Sequence, residues 1–248
     1  MLADLLLLLL IVLVGSALQR ISGMGLGLVA GPVLAVTMGP VEGILVVNVL
    51  AFLNAAATTA TVREYVDWRK FSLIASVLII GAVPGALLVR EFSPALLQAL
   101  VGALLLLALA VTTFGQKYIP PATGNAPAVV AGVVGGFMNT LAGIAGPAIT
   151  VYAQASRWAQ QSFAATLQPI FMVAGAISFG IKILLGAGDL SDTNWLVWPV
   201  GIIGMAVGLW LGVRLSKKVS RPRARTLALL LATAGGVTAL VRGISGLA

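Results

Sequence analysis

The chain has 248 residues, 60% hydrophobic and only 9% charged, with a mean hydropathy of +1.09. No surface facing water throughout can be built from that composition, so the class is a polytopic membrane protein. The net charge of +8 and pI near 10.7 do not indicate nucleic acid, because the basic residues stand singly or in short connections between apolar runs, and cytoplasmic loops carry such an excess. Without Cys or His, thiol chemistry, disulfides and thiolate or imidazole metal sites are excluded. No metal or cofactor is expected, and an intramembrane enzyme would lack a nucleophile or ligands at depth.

The first apolar run, 2–18, resembles the core of a signal peptide. It has no basic lead, Asp4 being its only charge, and more membrane sequence follows at once, so it is expected to be retained. Residues 19–32, QRISGMGLGLVAGP, then interrupt the apolar sequence with Gly23, Gly25, Gly27 and Gly31 before Pro32. Apolar segments follow at 25–38, 41–62, 70–89 and 94–114, a linker at 115–124, and further segments at 126–142, 147–156, 160–185, 195–215 and 224–243. A second glycine-rich stretch, NTLAGIAGP, covers 139–147.

A helix needs about 20 residues to cross the hydrocarbon, and the segments starting at 41, 70, 94, 160, 195 and 224 suffice. The arms 25–38 and 147–156 reach only roughly 21 and 15 Å at 1.5 Å per residue. With their partners they are predicted to form two hairpins that enter the membrane, turn at the glycines and leave by the same side, although the arm 2–18 nearly spans. In lipid, unpaired backbone groups cost several kcal/mol each, so such turns survive only inside protein or beside a wet cavity.

The halves share an order of features. Gly15 and Gly23 match Gly135 and Gly143, and Ala30, Gly31 and Pro32 match Ala145, Gly146 and Pro147. Asn48 falls opposite Gln168, Trp68 opposite Trp195, Gly81 and Gly85 opposite Gly208 and Gly212, and Pro94 opposite Pro222. This reads as a duplication. The basic connection of the first half is 63–70, whereas its counterpart in the second half carries Asp189 and Asp192, and the next one holds Lys217, Lys218, Arg221, Arg223 and Arg225. A charge bias displaced by one loop implies halves lying upside down relative to each other, with loops 63–70, 115–124 and 216–223 in the cytoplasm. The predicted fold is therefore an all-α integral membrane protein of two inverted repeats, 1–114 and 125–248, each a broken re-entrant hairpin plus three transmembrane helices. Trp68 and Trp195 would then mark opposite interfaces.

Inversion would bring the apices 23–27 and 143–146 together near the midplane, where helix ends present amide groups and positive dipoles to an anion. The expected substrate-binding set is Gln19, Arg20, Ser22, Gly23, Gly25, Gly27, Asn48, Asn139, Thr140, Gly143, Gly146 and Gln168. Arg20 has two readings: a guanidinium that pairs two oxygens of a carboxylate, sulfonate or sulfite, or a side chain that snorkels to an interface. Asn48, Asn54, Asn139, Thr140 and Gln168 are neutral donors or interhelical glue, and Ser22 serves the site or bonds its own helix. Gly81, Gly85, Gly204, Gly208 and Gly212 form faces for close helix approach. Pro84 and Pro169 are expected to bend their spans. Glu42 suits a helix N-terminus at the outer surface, and with no deep carboxylate there is no visible proton relay.

These glycine-rich segments ending in Gly-Pro, one per half of a repeat of this length, resemble the TauE/SafE sulfite exporter family of membrane permeases over nearly the whole chain. The matching positions are Gly23, Gly25, Gly27, Gly31 and Pro32, then Gly143, Gly146 and Pro147. The second copy departs from the pattern with Ala145 where another Gly is expected. The resemblance implies export of small sulfur oxyanions or organosulfonates, such as sulfite or sulfoacetate, across a bacterial inner membrane. The expected mechanism is alternating access around a midplane site, the alternative being an anion channel or a uniporter for another small carboxylate or oxyanion. The expected partners are a small anion and the lipid bilayer, with a homodimer as the allowed assembly and no nucleic acid.

Overall fold

The computed structural model describes residues 2–115, 120–191 and 193–247. Asp192 and the linker positions 116–119 lie outside the described residues. The helices are α1 Leu2–Ser22, α2 Leu26–Thr37, α3 Pro40–Val62, α4 Trp68–Ala75, α5 Leu78–Glu91, α6 Pro94–Phe114, α7 Ala126–Ala142, α8 Gly146–Ala155, α9 Gln160–Leu184, α10 Val197–Leu215 and α11 Arg221–Ser245, with a 3-10 turn at Arg63–Tyr65. No strand occurs among the described residues. Helix starts follow local chemistry. Proline opens α3, α6, α7, α8 and α11, where its missing N–H costs nothing. Asp67 accepts from the Lys70 amide at 3.0 Å and Ser93 from that of Leu96 at 3.3 Å, each satisfying a donor that the helix leaves unpaired.

Seven helices among the described residues are long and apolar enough to cross a membrane, α4 and α5 counting as one. Exposed apolar side chains such as Leu10, Leu107, Ile203 and Leu230 cover the outside, a surface suited to lipid. The chain is thus an all-α, multi-pass membrane protein. The short arms α2 and α8 fall where the sequence places them, but the first arm differs. It continues through Gln19 to Ser22, giving α1 a length sufficient to cross, because the first residue that leaves the helix is Gly23 at φ +89°. The span expected at 70–89 is two helices. Its break lies at residues 76–77, ahead of Pro84, where a Cβ on Gly132 of α7 would stand 2.5 Å from the Ile74 carbonyl oxygen and Gly136 presses on that of Leu78. Pro169 lies inside α9 without interrupting it.

Small residues set the close pairings. Gly204 of α10 meets the Leu9 carbonyl of α1 at 2.8 Å, Gly208 meets that of Leu13, and Gly212 that of Ala17 at 3.0 Å, all measured from an ideal Cβ. A second pairing across the halves is alike: Gly81 of α5 meets Val133 of α7, and Gly85 meets the Phe137 carbonyl at 3.2 Å. A side chain at any of these positions would force the helices apart and forfeit their contacts. Helix α6 packs antiparallel to α11 through Gly102, Gly236 and Gly243, and α3 packs on α9, with Gly175 against the Asn48 carbonyl at 2.8 Å. Leu26, Ile44, Leu50, Ile149 and Ile170 are fully buried around the two short arms.

Candidate functional site

The first broken hairpin turns at Gly23. Its amide donates to the Gln19 carbonyl at 2.8 Å, and its positive φ is a conformation that a side chain makes costly. Gly25 leaves no room for a Cβ, which would stand 2.5 Å from both the Gln19 nitrogen and the Gly15 oxygen. The Gln19 side chain reaches across the break, its Oε1 accepting from the Leu26 amide at 3.1 Å and so capping α2. Its Nε2 donates to Gln168 Oε1 of α9 at 3.0 Å, and Gln168 Nε2 donates to the Gly23 carbonyl at 3.0 Å and that of Ala164 at 3.1 Å. Ser22 Oγ bonds the carbonyls of Leu18 and Met24, both at 2.8 Å.

The second hairpin repeats the device. Gly143 caps α7 at φ +70°, its amide donating to the Asn139 carbonyl at 2.8 Å. Asn139 Nδ2 contacts three acceptors: Asn48 Oδ1 at 3.3 Å, the Ala174 carbonyl at 3.1 Å and Ser178 Oγ at 2.9 Å. Thr140 Oγ1 lies 2.9 Å from Ser178 Oγ and 2.9 Å from the Gly136 carbonyl. Asn54 is buried on α3 and neither its Oδ1 nor its Nδ2 has a partner among the described residues.

The two tips touch. Gly27 packs on the Gly143 carbonyl, a Cβ on Gly31 would lie 2.9 Å from the Ala142 oxygen, and one on Gly146 would lie 3.2 Å from Met24 Sδ. Between them is a cavity of about 30 Å³, walled by Gln19, Met24, Gly27, Asn139, Gly143 and Phe171 among others, room for one water molecule. The N-termini of α2 and α8 begin beside it, so the ends of two peptide dipoles make it positive.

A far larger vestibule, about 850 Å³, lies beside α8, with Ser22 and Thr150 in its wall. Arg157, Arg221 and Arg225 line it, with Thr112, Gln154 and Gln160, and no carboxylate is among the lining residues. Arg157 is held there at φ +49°, unusual for a residue other than glycine. Thr150 Oγ1 donates to Met24 Sδ at 3.4 Å. Because Met24 also walls the small cavity, its side chain divides that cavity from the vestibule.

The opposite side is more closely packed. Gln98 Nε2 of α6 donates to the Ala35 carbonyl at 3.4 Å and Arg242 Nη1 of α11 to that of Val36 at 3.3 Å, while Gly235 of α11 packs on Pro32. The equivalent arm α8 is held to α6 by Gln154 Nε2 on the Thr112 carbonyl at 3.2 Å, and the vestibule opens beside it. A cavity of about 250 Å³ at the far end borders α2 at Leu34 and Thr37 and is also lined by Asp4, Glu42 and Asn194, with Glu42 accepting from Thr193 Oγ1 at 2.8 Å.

Of the residues singled out from sequence, Gln19, Gly25, Gly27, Asn139, Gly143 and Gly146 line the inter-tip cavity. Gly23 and Gln168 buttress it at one end, and Asn48 and Thr140 at the other, while Ser22 faces the vestibule. Arg20 does not line the inter-tip cavity. It is half-buried in a neighbouring cavity of about 130 Å³ that it shares with Gln19, Gly23 and Gln168 as well as Thr58, Tyr65 and Arg221, its stem packed on Gly212. Sequence reasoning missed Met24, Ser178, the vestibule arginines and Lys182. Only Lys182 carried a signal, a single cation inside the apolar run 160–185.

Two broken helices meeting tip to tip inside a bundle of crossing helices, with a basic vestibule on one side, define a multi-pass membrane protein with a buried site between two short arms. The chain belongs to the sulfite exporter TauE/SafE family, whose profile matches residues 7–239. It is 28% identical over 141 residues to the probable sulfite/organosulfonate exporter TauE of Cupriavidus necator, a match covering 54% of each chain. The matched stretch thus spans about half the length of that relative. No solved structure matches.

Proposed function

We propose that this chain exports small sulfur-containing anions, sulfite or an organosulfonate such as sulfoacetate, across the bacterial inner membrane by alternating access around the two tips. The observation that carries this reading is the asymmetry between the arms: α8 borders an arginine-lined vestibule of about 850 Å³, whereas α2, bonded to α6 and α11, borders a cavity of only about 250 Å³ with Asp4 and Glu42 in its wall. In a protein of two inverted halves, those are the open and closed faces of one cycle, and exchanging the packing of the two arms would reverse them. The vestibule shares Arg221 with the cavity that holds Tyr65, which supports a reading in which it lies on the side of the basic loops and faces the cytoplasm. An anion would gather there, attracted by three guanidinium groups, and reach the tips at Ser22 and Thr150.

Three relationships support inversion of 1–114 against 125–248. Helices α3 and α9 hold the same place in each half and run in opposite directions, position 48 meeting 175 while Thr58 shares a cavity with Gln161 and Ala165. Gly81 and Gly85 ride on Val133 and Phe137 as Gly208 and Gly212 ride on Leu13 and Ala17. The amide pairs Gln19 with Gln168 and Asn139 with Asn48 are counterparts. An open channel is the weaker reading, since the Met24 side chain stands between vestibule and inter-tip cavity.

The test is sulfite and sulfoacetate flux from proteoliposomes, with binding titrations of sulfite, thiosulfate, sulfoacetate, sulfate and acetate on detergent-solubilised protein. Saturable counterflow of a sulfur anion is expected. Unitary ionic currents would favour the channel, and absence of binding to every anion would remove the transport reading.

A further inference from the structure

One basic side chain inside the bundle has no partner among the described residues. Lys182 lies in the last turn of α9, its side chain is fully buried, and its Nζ has no hydrogen-bond partner among the described residues. The neighbouring helices offer it no free carboxylate. Helix α7 carries no ionisable residue and α8 only Tyr152. The one acid of α3, Glu42, faces the far cavity, where Thr193 donates to it at 2.8 Å, and makes no hydrogen bond with Lys182 Nζ, and on α5 Arg90 and Glu91 are exposed and face each other at 3.8 Å. The charges of α4 and the 3-10 turn lie at the other end of α9, where the Asp67 amide meets Thr166, roughly 24 Å from Lys182 along the helix axis. An ammonium buried without a partner costs several kcal/mol, so its presence points to an acceptor that arrives.

The surroundings fit an anionic acceptor. Ser178 precedes Lys182 by one turn on the same face and receives Asn139 Nδ2 at 2.9 Å. Long helical side chains lean over the preceding turn, which carries the Lys182 ammonium toward Ser178. Asn48 Nδ2, beside Asn139, is a second buried donor without a partner among the described residues. Asn139 itself lines the inter-tip cavity. Neither orphan donor lines that cavity, but Asn139 joins it to both: its side chain contacts Asn48 directly and Ser178, one turn before Lys182.

We propose that Lys182 is the buried countercharge of the transported anion: once past Met24, an oxyanion or sulfonate accepts from Lys182 Nζ and Asn48 Nδ2. This rests on the transport reading. The vestibule arginines concentrate the anion, but they remain in the vestibule wall, and a bare oxyanion moved from water into a dry site needs a charge already in place.

Purified protein titrated with sodium sulfite and sodium sulfoacetate tests this, with affinity and melting temperature read together. Lys182→Met keeps the length and removes the charge. It should melt no lower than wild type without anion and lose about ten- to a hundredfold in affinity, the range for one charged hydrogen bond. Lys182→Arg should retain most of the affinity. Wild-type affinity in Lys182→Met overturns the assignment and leaves the transport reading standing; absence of binding by wild type removes both. Should Lys182→Met not fold, the same titration of Lys182→Gln decides by the same loss or retention.

Discussion

Gln19 and Gln168 hydrogen-bond at 3.0 Å across the break between α1 and α2, and each holds a backbone group that the break releases, the Leu26 amide and the Gly23 carbonyl. The unwound tip is stable in a dry interior because two side-chain amides replace the missing helical bonds. Gln168→Leu leaves Gln19 Nε2 and the Gly23 carbonyl unpaired, at about 1–3 kcal/mol each. Denaturation in mixed micelles should show a loss of that size. The double variant Gln19→Leu, Gln168→Leu should lose less than the two single losses combined; strict additivity would mean that the pair does not act as a unit.

Contact between the tips predicts a contrast among glycines. A methyl group at Gly27 runs into the Gly143 carbonyl, whereas one at Gly180 of α9 meets nothing within 4 Å. Gly27→Ala should lower the melting temperature and abolish sulfite flux. Gly180→Ala should be neutral or more stable, by up to about 1 kcal/mol of helix propensity. Equal behaviour of the two variants would contradict the tip geometry.

The vestibule arginines act at a distance, through the field of a cleft lined by one sign of charge. Arg157→Gln, Arg221→Gln and Arg225→Gln should each raise the anion concentration needed for half-maximal flux several-fold, with less effect on maximal rate, and the difference should shrink in high salt as screening lengths fall to about 3 Å at 1 M. Arg157→Gly should in addition melt no lower than wild type, since glycine suits the positive φ at that position.

Met24 divides the vestibule from the inter-tip cavity, and the chain has no cysteine, so single-cysteine variants report cleanly. Thr150→Cys should react with a negatively charged thiol reagent from the vestibule side, and Asn139→Cys should not. Replacing Met24 with Ala in the Asn139→Cys variant should make position 139 reactive; continued protection would show that another group closes the path.

Outside the membrane-spanning helices, Asp189 accepts from Ser191 Oγ at 2.6 Å and from the Ser191 amide at 2.8 Å. These bonds, the hydroxyl first and then the amides of Ser191 and Leu190, hold its pKa below the ordinary 3.8. The folded value is the lower one, so the turn's stabilisation is complete above the unfolded pKa and is lost as pH falls through the folded one. The Ser191 amide resonance should titrate with a midpoint under 3.8; a midpoint at or above it would mean that the turn does not favour the ionised form.

Much of this molecule is written along one dimension. Apolar run length determines which segments cross, and the glycine clusters at 23–27 and 143–146 mark where helices stop, because glycine takes without steric cost the positive φ found at Gly23 and Gly143. The small-residue spacings at Gly81 and Gly85, and at Gly208 and Gly212, likewise announce close helix approach. What the linear order leaves open is which face of a helix meets which neighbour, since that depends on rotation and depth of elements far apart in the chain. Arg20 and Gln19 are adjacent in sequence, yet Gln19 lines both the tip cavity and the one beside Tyr65, whereas Arg20 lines only the latter. Met24 as a partition, and Lys182 as a charge with no partner, exist only once α8 and α9 pack against the first hairpin. A residue's type limits what it can do; its packing partners, brought from the other half of the chain, decide what it does.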